Sequence, residues 1–142
     1  MSARTGKQYV EGLRDDRVVW LGNQKVDVAT HPAFAGSVAG MAGYFDWQNQ
    51  HADECLVPDP QTGKPMSASL IVPRNADDLR RRRIAFERFA HYSEGMLGRT
   101  PDYVNVTLAG FVARSDIFTS KGDTGFAERL GRFYREVVDK DL

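Results

Sequence analysis

The stretch NADDLRRRRIAFERFAHYSEGMLG, residues 75–98, decides the fold class. Asn75 has the side chain of a helix N-cap. Leu79, Phe86, Ala90, Ser93 and Leu97 then recur at helical spacing, with Phe89 and Met96 widening the stripe. The pattern predicts a long amphipathic helix that stops at Gly98. The four arginines Arg80 to Arg83 inside it point around the whole helix barrel, so they read as a solvated, ion-paired surface and not as a nucleic-acid groove.

Upstream, Thr5 and Gln8 form the pair of a capping box, opening a short helix that turns Tyr9 and Leu13 inward. RVVWLGNQKVDV, residues 17–28, has two β-rich runs around Gly22-Asn23, the pattern of a small hairpin whose Val18 and Trp20 share a face and should pack on helices. Phe34, Val38, Met41 and Phe45 mark another helix stripe. Gly36, Gly40 and Gly43 form a second stripe, where small residues would let a neighbouring backbone approach. Asp53 to Pro65 reads as a surface loop, and SASLIV, 67–72, as a strand ended by Pro73.

Downstream, a third long helix is predicted from Pro101, burying Val104, Leu108, Phe111 and Val112. TSKGDTG turns the chain into a last amphipathic helix carrying Phe126, Leu130, Phe133 and Val137. The sum is a mainly α chain with a minor β hairpin and strand.

Composition narrows the function. The 142 residues carry 19 basic and 19 acidic side chains, so no global field recruits nucleic acid or an anionic membrane. The length suits one domain, residues 1–142. A single cysteine, Cys55, excludes an internal disulfide framework and fits a reducing, cytoplasmic setting. No apolar run approaches the roughly 20 residues of a membrane helix, and no signal-peptide core opens the chain. Glu87 and His91 at i, i+4 supply only two potential metal ligands, so no metal site is expected. Cys55 has no base positioned beside it for nucleophilic work. The glycosylation sequon at Asn105 falls in a predicted helix and carries no weight.

One constellation exceeds helix grammar. In GRTPDYVN, residues 98–105, Thr100 is an N-cap, Pro101 takes the favoured first helical position and Asp102 complements the dipole. Arg99 and Tyr103 are the surplus: a cation and a phenolic donor one turn apart could converge beside the free N–H groups of the helix mouth, where an oxyanion would bind. The bland alternative is an Arg99 ion pair and a packed Tyr103.

TGKQYVEGLRDDRVVWLGNQKVDVATHPAF at 5–34, IVPRNADDLRRRR at 71–83 and GRTPDYVN at 98–105, in that order, resemble the amino-terminal part of the 4-hydroxyphenylacetate 3-hydroxylase family. These are the oxygenase components of two-component, flavin-dependent aromatic monooxygenases. The resemblance implies the helical amino-terminal domain of an acyl-CoA-dehydrogenase-like fold, with the family's central β domain and carboxy-terminal bundle absent from these residues. It implies reduced FAD delivered by a separate flavin reductase, a phenolic substrate such as 4-hydroxyphenylacetate, and a dimer or tetramer.

It further implies that Arg99 and Tyr103 contact the substrate hydroxyl, within a binding segment Arg99, Thr100, Pro101, Asp102 and Tyr103. Ortho-hydroxylation needs an electron-rich ring, and an arginine beside a helix N-terminus favours the phenolate. The family's catalytic histidine matches none of His31, His51 and His91, so the chain is expected not to hydroxylate alone. Two rival readings are a hydroxyacyl-CoA dehydratase of the same fold and a non-catalytic helical interaction domain.

Overall fold

The computed structural model describes residues 3–96, 103–118 and 125–142. Thr5 caps α1 (Gly6–Gly12): its Oγ1 accepts from the Gln8 amide at 3.2 Å while Gln8 Oε1 accepts from the Thr5 amide at 2.8 Å. The capping box read from sequence is therefore formed. Strands β1 (Val19–Leu21) and β2 (Gln24–Val26) pair antiparallel through Gly22-Asn23, with Gly22 at φ +59°, a left-handed corner that glycine takes without strain. The expected packing of this hairpin on helices is not found, since Val18 and Trp20 remain 57% and 62% exposed.

A 3-10 turn at Pro32–Phe34 leads into α2 (Ala35–Gln50), followed by the single turn α3 (Ala52–Cys55). The segment expected to be a loop holds a strand, β3 (Leu56–Pro58), paired antiparallel with β4 (Pro65–Ser67). The predicted strand 67–72 is replaced by the end of β4 and a 3-10 turn at Ala68–Leu70. Met66 through Ile71 are all buried. A run enclosed on every side shows neither the period of a strand nor that of a helix, which is why pattern alone misassigned it. Its backbone is satisfied from outside the run: Tyr134 Oη donates to Leu70 O at 2.7 Å.

Asn75 Oδ1 accepts from the Asp78 amide at 2.9 Å and opens α4 (Ala76–Ser93). The helix ends at Ser93, short of the expected Gly98. Glu94 (φ +50°) and Gly95 (φ +77°) take left-handed conformations, and the Gly95 amide donates back to Ala90 O at 3.0 Å. Phe86 and Phe89 of the predicted stripe of α4 face inward as expected, joined by Ala85 and Tyr92, whereas Leu79, Ala90 and Met96 face solvent. Arg80 pairs with Asp77 and Arg83 with Glu87 at 2.9 Å, the ion-paired surface expected of the run, while Arg82 is half-buried and donates to Ile71 O at 3.5 Å.

Helix α5 (Val104–Ala113), a 3-10 turn at Ser115–Phe118 and α6 (Phe126–Lys140) complete the described chain. Leu108 and Val137 are buried as predicted. Val104, Phe111 and Phe133 are exposed against expectation, and Ala109, Val138 and Tyr134 take the inner positions instead. The core joins Tyr44 and Phe45 of α2, Ala85 and Phe89 of α4, Leu70, Leu108 and Val138. Tyr44 stands edge-on to Phe45 at 5.3 Å between ring centroids and lies 4.9 Å from Phe89.

The glycine stripe of α2 works differently from the prediction. A Cβ on Gly36 or Gly40 would meet nothing, while one on Gly43 would run into the hydroxyl of Tyr92. Close backbone approach comes from Gly6 of α1, whose absent Cβ makes room for Ala42 of α2. The mainly α architecture with small β pairs is the expected one. Among the described residues no helix is long and apolar enough to cross a membrane.

Candidate functional site at the start of helix α5

Of the five residues assigned to the binding segment, Arg99, Thr100, Pro101 and Asp102 lie outside the described residues. The predicted helix start at Pro101 and its Thr100 cap lie there too. Tyr103 is described. Its backbone is already helical, at φ −83° and ψ −56°, and its carbonyl accepts from the Thr107 amide at 3.1 Å and from Thr107 Oγ1 at 2.7 Å. The side chain is 63% exposed and its hydroxyl has no hydrogen-bond partner among the described residues.

The opposite side of the same turn is buried. Asn105 Nδ2 donates to Ser69 Oγ at 2.8 Å, and Ser69 Oγ lies 2.8 Å from Ser67 Oγ, in a chain of polar groups enclosed between α5 and the 3-10 turn at Ala68–Leu70. Sequence reading missed this triad. The available signal was SAS inside an apolar run together with an asparagine in the first turn of a helix, a residue that gains little there unless its amide finds a partner. The same burial explains why the sequon at Asn105 is not an accessible acceptor.

Past this turn the outer surface is aromatic. Phe111 stands edge-on to Phe118 at 4.7 Å and Phe118 lies 5.9 Å from Phe126, with Val104 and Ile117 exposed alongside. Elsewhere, an open depression of about 480 Å³ lies between Leu13 and β2. Its lining charges are of both signs: Asp15 holds Arg17 through two contacts of 2.6 Å, and Asp27 caps the Ala29 amide at 2.8 Å. The hydrogen bonds from Arg17 take the Asp15 carboxyl down to about 2.

The other reactive groups are committed to structure. Cys55 is fully buried, and desolvation pushes its thiol up to about 12, which removes the thiolate a nucleophile needs. Glu87 is held by Arg83 and not by His91. His51 lies against Trp47 at 4.3 Å, and His31 Nδ1 accepts from the Ala33 amide at 3.2 Å. Among the described residues no three His, Cys, Asp or Glu side chains converge as metal ligands.

Comparison with known proteins decides the family. The sequence profile described as 4-hydroxyphenylacetate 3-hydroxylase N terminal matches residues 5–142. The chain belongs to this family. It is 36% identical over 144 aligned residues to the 4-hydroxyphenylacetate 3-monooxygenase oxygenase component of Geobacillus sp. (strain PA-9), covering 100% of this chain and 29% of that protein. It is 32% identical to an FADH(2)-dependent monooxygenase of Burkholderia cepacia, covering 98% of this chain and 28% of the relative. A crystal structure of the oxygenase component of 4-hydroxyphenylacetate 3-monooxygenase, complexed with FAD and 4-hydroxyphenylacetate, superimposes with a TM-score of 0.86 at 35% identity, covering 99% of this chain and 29% of that one. The chain thus spans under a third of the length of the hydroxylase-family relatives it matches.

Proposed function

We propose that this chain is the amino-terminal helical domain of a two-component monooxygenase that hydroxylates a phenol ortho to its hydroxyl, and that it contributes the phenol-binding segment Arg99–Tyr103. The reading rests on membership of the hydroxylase family over residues 5–142 and on the solved relative that holds FAD and 4-hydroxyphenylacetate. The observation that carries it within this chain is Tyr103: an exposed tyrosine whose hydroxyl has no hydrogen-bond partner among the described residues, at the mouth of α5. A phenolic O–H there can donate to a substrate oxygen.

The chemistry asks little else of this segment. Arg99 supplies a full positive charge next to the partial charge of the helix N-terminus, so a phenol bound between Arg99 and Tyr103 loses its proton more easily than its free pKa near 10 implies. The phenolate directs electron density onto the ortho carbon, where the new oxygen is placed.

The glycine-rich run of α2 does not fit a flavin pyrophosphate. Gly40 and Gly43 of the glycine-rich run lie inside α2, with their amides committed to the helix, and form no pyrophosphate cradle. Reduced FAD, when bound, supplies the oxygen-activating chemistry, and its contacts come from the rest of the family's architecture. A separate flavin reductase, a cytoplasmic location and assembly as a dimer or tetramer complete the reading.

The test is kinetic. In the full-length oxygenase with its reductase, Arg99→Ala raises the pH at which hydroxylation turns on and diverts flavin oxidation to peroxide. Tyr103→Phe weakens phenol binding by about tenfold, the worth of one hydrogen bond to a charged oxygen. Unchanged coupling and pH dependence in the arginine variant discard the role.

A further inference from the structure

We infer that Asn105, held through Ser69 to Ser67, is a positioning residue for the phenol site: it sets the rotation and height of the first turn of α5 and thereby aims Tyr103. The inference rests on the reading of Arg99–Tyr103 given above.

Asn105, Leu108 and Ala109 share the inner face of α5, spaced i, i+3, i+4. Leu108 and Ala109 are apolar and give non-directional adhesion, which tolerates small slides and rotations of a helix. The Asn105 amide has direction. It donates to Ser69 Oγ at 2.8 Å, and Ser69 is itself held 2.8 Å from Ser67 Oγ on the buried segment that threads the core. A fully enclosed hydroxyl pair and amide contribute little net stability over apolar groups of the same shape. What they do contribute is a single setting, because any other setting leaves buried polar atoms unpaired.

Tyr103 stands on the opposite side of that turn, roughly 160° around the helix from Asn105 at about 100° per residue. The two are therefore linked rigidly through one turn of backbone, closed by the Thr107 amide and hydroxyl on the Tyr103 carbonyl. A one-residue slip of α5 would swing the Tyr103 ring by roughly 100° and lift it about 1.5 Å. Displacements of that order at a reacting geometry cost up to about a hundredfold in rate.

The experiment uses the full-length oxygenase with four variants: Asn105→Ala, Ser69→Ala, their double, and Val138→Ala as a destabilised control whose apolar side chain is buried in the same core and makes no polar contact to the triad. Asn105→Ala and Ser69→Ala are each expected to weaken 4-hydroxyphenylacetate binding about tenfold and to lower product formed per flavin oxidised. The rate of flavin oxidation without phenol stays unchanged. Amide exchange speeds up selectively at Val104–Thr107. The double variant is no worse than either single, and Val138→Ala moves none of these readouts once its global stability is allowed for. If Asn105→Ala fails to fold, Ser67→Ala at the far end of the chain is expected to show the same pattern at a smaller amplitude.

Binding and coupling that survive both Asn105→Ala and Ser69→Ala, while Arg99→Ala and Tyr103→Phe still impair them, overturn the positioning role alone. Phenol binding that survives Arg99→Ala and Tyr103→Phe overturns the underlying reading and this inference with it. Equal losses in Val138→Ala reduce Asn105 to a stability residue.

Discussion

Asp141 accepts a hydrogen bond from Gln48 at 3.0 Å across 93 positions of sequence, while its other close donor is the Arg4 backbone amide at 3.0 Å. One buried carboxylate thus ties the beginning of the described chain to α2 and to the end of α6. Burial pushes the Asp141 carboxyl above its ordinary range, against the pull of the Arg4 amide, Gln48 and the Arg4 guanidinium. Folding therefore favours the protonated form. The stability this contributes is fully present below the ordinary carboxylate pKa, about 4, and is lost as pH rises through the higher folded value. Asp141→Asn is expected to flatten that fall in thermal stability and to stabilise the chain at neutral pH, because asparagine also suits the left-handed backbone at φ +50°. A melting curve at pH 7 showing the variant weaker than the parent would mean that Arg4 more than offsets the buried charge.

Asp59 has the opposite slope. Burial pushes its carboxyl up, but hydrogen bonds from Thr62, Arg135 and the Gln61 amide outweigh that and hold it below the usual range. Its contribution is present above the ordinary carboxylate pKa and disappears as pH falls through the depressed folded value. Arg135→Met leaves this carboxylate buried without its 3.0 Å partner. We expect a loss of about 2 kcal/mol by denaturant titration, below the ~3–5 of a fully enclosed pair because Arg135 is partly exposed. Asp59→Asn should remove the share of the acid limb that Asp59 contributes and leave that of the other ion-paired carboxylates, Asp15 among them.

The glycines of α2 separate cleanly. Gly36→Ala and Gly40→Ala meet open space and are expected to stabilise by about 0.5–1 kcal/mol each through helix propensity. Gly43→Ala must displace Tyr92, whose hydroxyl donates to Gly40 O at 2.7 Å, and is expected to cost about 1–3 kcal/mol instead. Urea midpoints of the three variants at constant slope decide the point.

Cys55 should resist thiol reagents in the folded chain at pH 8 and react rapidly once the chain is unfolded, since its thiol is both enclosed and raised to about 12. Labelling followed by intact mass measures this. Fast modification of the native chain would show that α3 opens locally.

The local alphabet of helices was legible in the residues themselves. Thr5 with Gln8, Asn75 as a helix cap, and Gly22-Asn23 between two β-rich runs act through neighbours three or four positions away, so no tertiary information is needed to read them. The GRTPDYVN motif likewise carried the family in its spelling. Tertiary structure decided which face each helix turns inward. Tyr92 joined the predicted Phe86 and Phe89 on the inner face of α4, and Leu79 and Ala90 were left outside, because Tyr44, Trp47 and Gly43 of α2 offered the aromatic rings a surface, and that surface exists only after both helices meet. It also decided the course of Met66–Ile71, enclosed on every side and so without a period to read, and the pairing of Asn105 with Ser69 across 36 residues of sequence. Directional polar contacts between distant segments depend on where the apolar faces dock, and no local pattern encodes them.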